Sequence, residues 1–136
     1  MISTVAVATD GSATASEAVK AAAEVARRFD AKLVLLSACS DSARGGSEEE
    51  RWAYSDAART RQILSRTEDD LRRAGFACSQ LVDEGDPAEM IVALAGECGA
   101  DLLVVGNRGM RRRLLGSVPN TVTHRAPCSV MVVKTT

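Results

Sequence analysis

A chain of 136 residues with 46% apolar and 26% charged residues has room for one substantial core and an ordinary soluble surface. A net charge of −1 leaves no global basic field to gather nucleic acid, and 3% aromatic residues leave no base-stacking platform. Cys39, Cys78, Cys98 and Cys128 form no C-x-x-C pair and share the chain with a single histidine, His124, so zinc-ligand spacing is missing. The thiols read as reduced, mostly buried small hydrophobes.

The opening stretch, MISTVAVATDGS, has no basic leader and no apolar run long enough for a signal or a membrane span. The expectation is a cytoplasmic chain with no membrane partner. No internal repeat or linker divides it, so residues 1–136 read as one domain. Thr4 to Thr9 is a β-branched and small apolar run, read as the first strand, and it stops at Asp10-Gly11-Ser12. Thr14 and Glu17 are spaced as a capping box for the first helix. Ala15, Ala18, Val19, Ala22, Val25, Ala26 and Phe29 then recur at helical spacing. Lys32 to Cys39 is a second apolar strand.

Ser40 to Ser47 is a polar, glycine-containing loop, expected to be the most mobile part of the chain. A long charged helix capped by Ser47 and Glu50 should follow and run to Gly75. Ala57, Leu64 and Leu71 lie seven apart on it, with Ile63 beside them, and the turns around Trp52 and Tyr54 read as irregular. Phe76 to Val82 reads as the third strand. Asp86-Pro87-Ala88-Glu89 then has the order of a helix start: N-cap, first-position proline, third-position acid. Met90, Ile91, Leu94, Ala95 and Cys98 give that helix an apolar face, and Gly99 ends it. Asp101 to Val105 is the fourth strand. A last helix starts near Gly116-Ser117 with Pro119 in its first turn and ends by Pro127. Ser129 to Lys134 is the fifth strand.

Alternating strands and helices predict an α/β sandwich with a mostly parallel sheet. Ligands in such folds sit past the carboxyl ends of strands, where the winding reverses. Two loops there have suitable chemistry: Asp10-Gly11-Ser12, and the glycine-rich stretch from Gly106 to Ser117. Gly106 and Gly109 let backbone approach a ligand, and Gly116-Ser117 stands where a helix N-terminus attracts phosphate. Each glycine alone fits ordinary punctuation of a turn. The set together fits a ligand loop. Asp10 is an acceptor suited to ribose hydroxyls or, through a cation, to phosphates, and equally to a turn cap. Arg108, Arg111, Arg112 and Arg113 could screen phosphates, although a basic run is more often a solvated face. His124 reads as a helix-surface residue. There is no G-x-x-x-x-G-K-[ST], no G-x-G-x-x-G after the first strand and no G-x-S-x-G elbow.

On VAVATDGS, KLVLLSAC, EGDPAEMIVALAGECGADLLVVGNRG and LLGSVPNTVTHRAPCSVMVVK, the chain resembles the universal stress proteins of the UspA type over essentially its whole length. The resemblance implies the adenine nucleotide alpha hydrolase-like fold: a three-layer sandwich around a five-stranded parallel sheet of order 3-2-1-4-5. It implies a stress-response sensor or regulator that binds ATP, AMP or cyclic AMP, with or without magnesium, and has at most trace ATPase activity. Asp10 would contact the ribose or phosphate region, and Ala38 would offer backbone groups to adenine. Gly106, Gly109, Gly116, Ser117 and Val118 would line the phosphates, and Arg108 of the basic run is added to them as a nucleotide-binding candidate on its charge. Nucleotide-binding members carry G-x2-G-x9-G-(S/T). Here six residues, MRRRLL, separate Gly109 from Gly116-Ser117, three fewer than that pattern. Strand 5, at an edge of the implied sheet, predicts a two-fold homodimer. A dimeric interaction module that binds no nucleotide is the alternative. A phosphotransfer receiver domain matches only superficially, through Asp10 and Lys134, because the third strand ends without a clear phosphoacceptor.

Overall fold

The structure, a computed structural model, describes residues 1–11, 13–39, 57–107 and 117–135. Strands and helices alternate along them: β1 (Thr4–Ala8), α1 (Ala13–Phe29), β2 (Lys32–Cys39), α2 (Ala57–Arg73), β3 (Cys78–Glu84), α3 (Pro87–Glu97), β4 (Leu102–Gly106), α4 (Ser117–Arg125) and β5 (Ser129–Val133). Every strand pair is parallel and the sheet order is β3-β2-β1-β4-β5, as expected.

The three layers follow from two-residue alternation along the inner strands. Val5, Val7, Leu33, Leu35, Leu102 and Val104 point into one core, closed by Ala18, Val19, Ala22 and Ala26 of α1 and Leu64 of α2. Ala6, Val34, Leu36, Leu103 and Val105 point the opposite way, into a core closed by Ile91, Leu94 and Ala95 of α3 and Val118 and Val122 of α4. Burial on both faces is why these strands are apolar at consecutive positions. Burying one such Leu or Val side chain contributes about 1.5–3 kcal/mol, so the doubly covered strands β1, β2 and β4 dominate the stability of the sheet. The alanines of α1 let its backbone approach the sheet closely.

Local signals set the boundaries. The Asp86 carboxylate accepts the Glu89 N–H at 3.1 Å, and Pro87 fills the first helical position. At the amino end of the sheet, Asp101 Oδ2 accepts from Ser3 N–H (2.9 Å), Ser3 O–H (3.0 Å) and Thr4 N–H (3.0 Å), fastening the start of β1 beside β4.

Expectations change at several element ends: β4 runs from Leu102 to Gly106, not from Asp101 to Val105, β5 stops at Val133, not Lys134, and two further changes are larger. α1 opens at Ala13, so Thr14 stands inside the first turn and is not its cap. β3 begins at Cys78, two residues later than Phe76, and runs on to Glu84. The delay arises because the end of α2 closes in a turn, with the Gly75 N–H on Arg72 C=O and the Phe76 N–H on Leu71 C=O, both at 3.0 Å. The extension arises because eight-residue β2 offers partners as far as Cys39, opposite Glu84. The expected Ser40–Ser47 loop, the Ser47–Glu50 cap and the turns around Trp52 and Tyr54 lie outside the described residues.

Candidate functional site

β1 and β4 are neighbours, with Val7 opposite Val104, so their carboxyl ends lie side by side. From β1 the chain winds to β2 and β3 on one side, and β4 and β5 occupy the other. The switch point is therefore between β1 and β4, where the loops after both strands open.

Asp10 follows β1 there and is half-buried. The residues on either side of it are fixed. The Thr9 N–H extends the ladder by one bond, to Leu36 C=O at 2.8 Å, and buried Thr9 turns its Oγ1 to accept the Gly11 N–H at 3.1 Å. Gly11 has φ +81°, and a Cβ on it would lie 2.6 Å from Ile63 Cγ2 of α2. Positive φ and close approach both require glycine there.

Ala38 stands near the carboxyl end of β2. The Lys32 N–H and the Leu36 C=O bond toward β1, through Ser3 C=O and Thr9 N–H. The Leu33 N–H and the Cys39 C=O bond toward β3, through Ala77 C=O and Gly85 N–H. By this alternation Ala38 turns its N–H and C=O toward the β1 side, past Ala8, where the β1–β2 pairing stops.

The Asn107 N–H donates to Val133 C=O of β5 at 2.8 Å. The peptide between Gly106 and Asn107 is planar and trans, so the Gly106 C=O points the opposite way, toward the end of β1. A Cβ on Gly106 would lie 3.1 Å from Thr135 Cγ2, so packing alone already favours glycine.

Only Ala126, Pro127 and Cys128 separate α4 from the amino end of β5. α4 therefore runs back along the sheet, and its N-terminus faces the carboxyl-end side. Ser117 is its first residue. The Val118 side chain is buried among Ala88, Ile91 and Val122, so only its backbone N–H is left to face a ligand. Pro119 has no N–H to add. Arg108, Gly109, Gly116 and the arginines at 111–113 lie outside the described residues, as does Ser12.

The fold thus gathers Asp10, Ala38 and Gly106 around the end of β1, with the start of α4 on the same side of the sheet. It draws in two residues that pattern reading passed over, Thr9 and Asn107. Their only sequence signal is a polar residue directly after an apolar strand. All four thiols are free, and His124 is exposed on α4. Burial raises every thiol above its ordinary range, Cys78 to about 11, which keeps them protonated and poorly nucleophilic. Among the described residues, no helix is long and apolar enough to cross a membrane.

The model of the universal stress protein family matches residues 1–134. A universal stress protein of Mycobacterium tuberculosis is 41% identical, the match covering 98% of this chain and 97% of that protein. A universal stress protein solved in complex with cyclic AMP is 33% identical, with a TM-score of 0.76 and 99% of each chain covered. A family protein from Arabidopsis thaliana solved with AMP bound shares the fold at a TM-score of 0.73 and 24% identity, over 98% of this chain and 92% of its own. Sheet order, whole-chain family match and relatives agree: this chain belongs to the universal stress protein family.

Proposed function

We propose that this chain binds an adenine nucleotide in the crevice over β1 and acts in the cytoplasm as a sensor or regulator, with negligible enzymatic turnover. The observation that carries the reading is the convergence of Asp10, Ala38 and Gly106 on one strand end. The cyclic AMP carried by the 33% identical solved relative supports it. A backbone N–H and C=O on one residue, as at Ala38, complement the ring nitrogen and exocyclic amine on adenine's edge. The Asp10 carboxylate and the Gly106 C=O are acceptors, suited to ribose hydroxyls and unsuited to phosphate. Phosphate belongs with donors: the first N–H groups of α4 at Ser117 and Val118, with Arg108, Gly109 and Gly116 before them.

Six residues between Gly109 and Gly116, where the family pattern has nine, shorten the loop's reach by up to about 10 Å. Fewer N–H groups then surround a triphosphate, so ATP should gain little over AMP or cyclic AMP. Among the described residues no group of three His, Cys, Asp or Glu side chains could hold a metal ion. Magnesium would come with the phosphates of ATP, and of the residues assigned to the site Asp10 is the carboxylate that could ligate it. Hydrolysis needs an oriented water and a placed metal, and Asp10 alone supplies neither.

The same reading includes a homodimer through β5. Val130, Met131 and Val133 are half-buried and Val132 is 45% exposed, so no residue of this apolar edge strand is fully covered within the chain. Thermal unfolding with each nucleotide tests the ligand. At one hundred times Kd, linkage adds about 2.7 kcal/mol and raises Tm by several degrees. No shift with millimolar ATP, AMP or cyclic AMP would leave the ligand-free dimeric module as the better reading.

A further inference from the structure

Asn107 lies between two residues assigned to the ligand, yet its side chain is committed elsewhere. Asn107 Oδ1 accepts the Thr135 N–H at 2.7 Å and the Thr135 O–H at 2.9 Å. A backbone N–H can only donate, so the oxygen of the amide must face Thr135. The Asn107 N–H meanwhile holds Val133 C=O at 2.8 Å. Thr135 is 4% exposed, and its Cγ2 fills the space that a side chain on Gly106 would occupy. One residue thus ties the end of β4 to the last residue of β5 by one hydrogen bond and to the segment after it by two, and the absence of a Cβ on Gly106 lets that segment close over it.

We infer that Asn107 and Thr135 form a clasp that positions the Gly106 carbonyl for ligand, making Asn107 a positioning residue and the segment after β5 part of the site's scaffold. The inference rests on the crevice reading above. The Gly106–Asn107 peptide is held on β5 by a single strand bond, Asn107 N–H to Val133 C=O, with no further strand pairing to fix its plane, because β4 ends at Gly106 and β5 at Val133. The clasp supplies that hold. Without it, the peptide would have to be ordered when ligand binds, and affinity would fall by that cost.

The test is titration calorimetry of the full chain with cyclic AMP, well below Tm, on the wild type, Asn107→Ala, Thr135→Val, Thr135→Ser and the Asn107→Ala/Thr135→Val pair. Loss of these bonds should weaken binding by about five- to tenfold in Asn107→Ala and less in Thr135→Val, which keeps the backbone donor. Thr135→Ser, which keeps both donors, should bind like the wild type. The double variant should be no weaker than Asn107→Ala alone, because one interaction is removed twice. A contact that only stabilised the fold would lower Tm and leave the Kd of the folded chain unchanged. Wild-type binding with an unaltered Kd in both Asn107→Ala and Thr135→Val would overturn the clasp alone. Absence of wild-type binding to cyclic AMP, AMP and ATP would overturn the crevice reading and the clasp with it.

Discussion

At the scale of single residues, the turn after β1 is the most constrained point beside the site. Gly11 combines φ +81° with a 2.6 Å approach of its missing Cβ to Ile63 Cγ2. Ile63 is β-branched and helical, so its rotamer cannot swing aside cheaply. Gly11→Ala should cost about 2–4 kcal/mol in denaturant unfolding, the sum of left-handed strain and overpacking. A loss below that of an ordinary surface change would contradict this packing. Asp101 makes a second residue-scale prediction. Hydrogen bonds from the Ser3 N–H, the Thr4 N–H and the Ser3 hydroxyl hold its carboxyl below the ordinary carboxylate range. Its folded value lies beneath its unfolded value, so its contribution is complete above the ordinary carboxylate range. It is lost as pH falls through the folded value. The denaturation midpoint of the wild type should therefore fall more steeply between pH 5 and pH 3 than that of Asp101→Asn. Parallel acid profiles would show that the three bonds do not discriminate charge. Asp10 and Gly106 could be singled out in the sequence because each interrupts an apolar run. Thr9 and Asn107 could not, since their roles depend on Gly11 and Thr135, partners that only the folded backbone identifies.

At the scale of elements, short-range chemistry was legible at α3 and misleading at α1, where the Thr14–Glu17 spacing falls inside the first turn, and long-range competition was not legible. The Asp86-Pro87-Ala88-Glu89 start of α3 appears as read, because a cap is decided within four residues. The start of β3 shifted because the turn closing α2 and the register with β2 decide it together, and neither is written in residues 76–82 themselves. β5 shows the same split. Its apolar composition was readable, while the half-exposure of Val132 follows from the strand's place at the edge. The dimer reading makes Val132 the residue to charge. Val132→Lys should move the protein toward monomer in sedimentation velocity at tens of micromolar, with unchanged circular dichroism. A wild-type chain that is already monomeric at that concentration would remove β5 as an interface.

At the scale of the whole molecule, the order β3-β2-β1-β4-β5 places the loops after β1 and β4 together, and every proposed role depends on that placement. Alternation of elements gave the class of fold, and the motif resemblance gave the order. Composition alone gave neither, because it does not say which strands neighbour which. The loop's shortage of three residues is legible by counting, but its effect on phosphate preference is not. The direct measurement is titration calorimetry of the wild type and Asp10→Ala with cyclic AMP, AMP and ATP. The account predicts one site per chain, ATP within about tenfold of AMP, and binding at least about tenfold weaker in Asp10→Ala, the loss expected for a hydrogen bond to a charged group. No heat from any of the three nucleotides at millimolar concentration, or equal binding by Asp10→Ala, would contradict it.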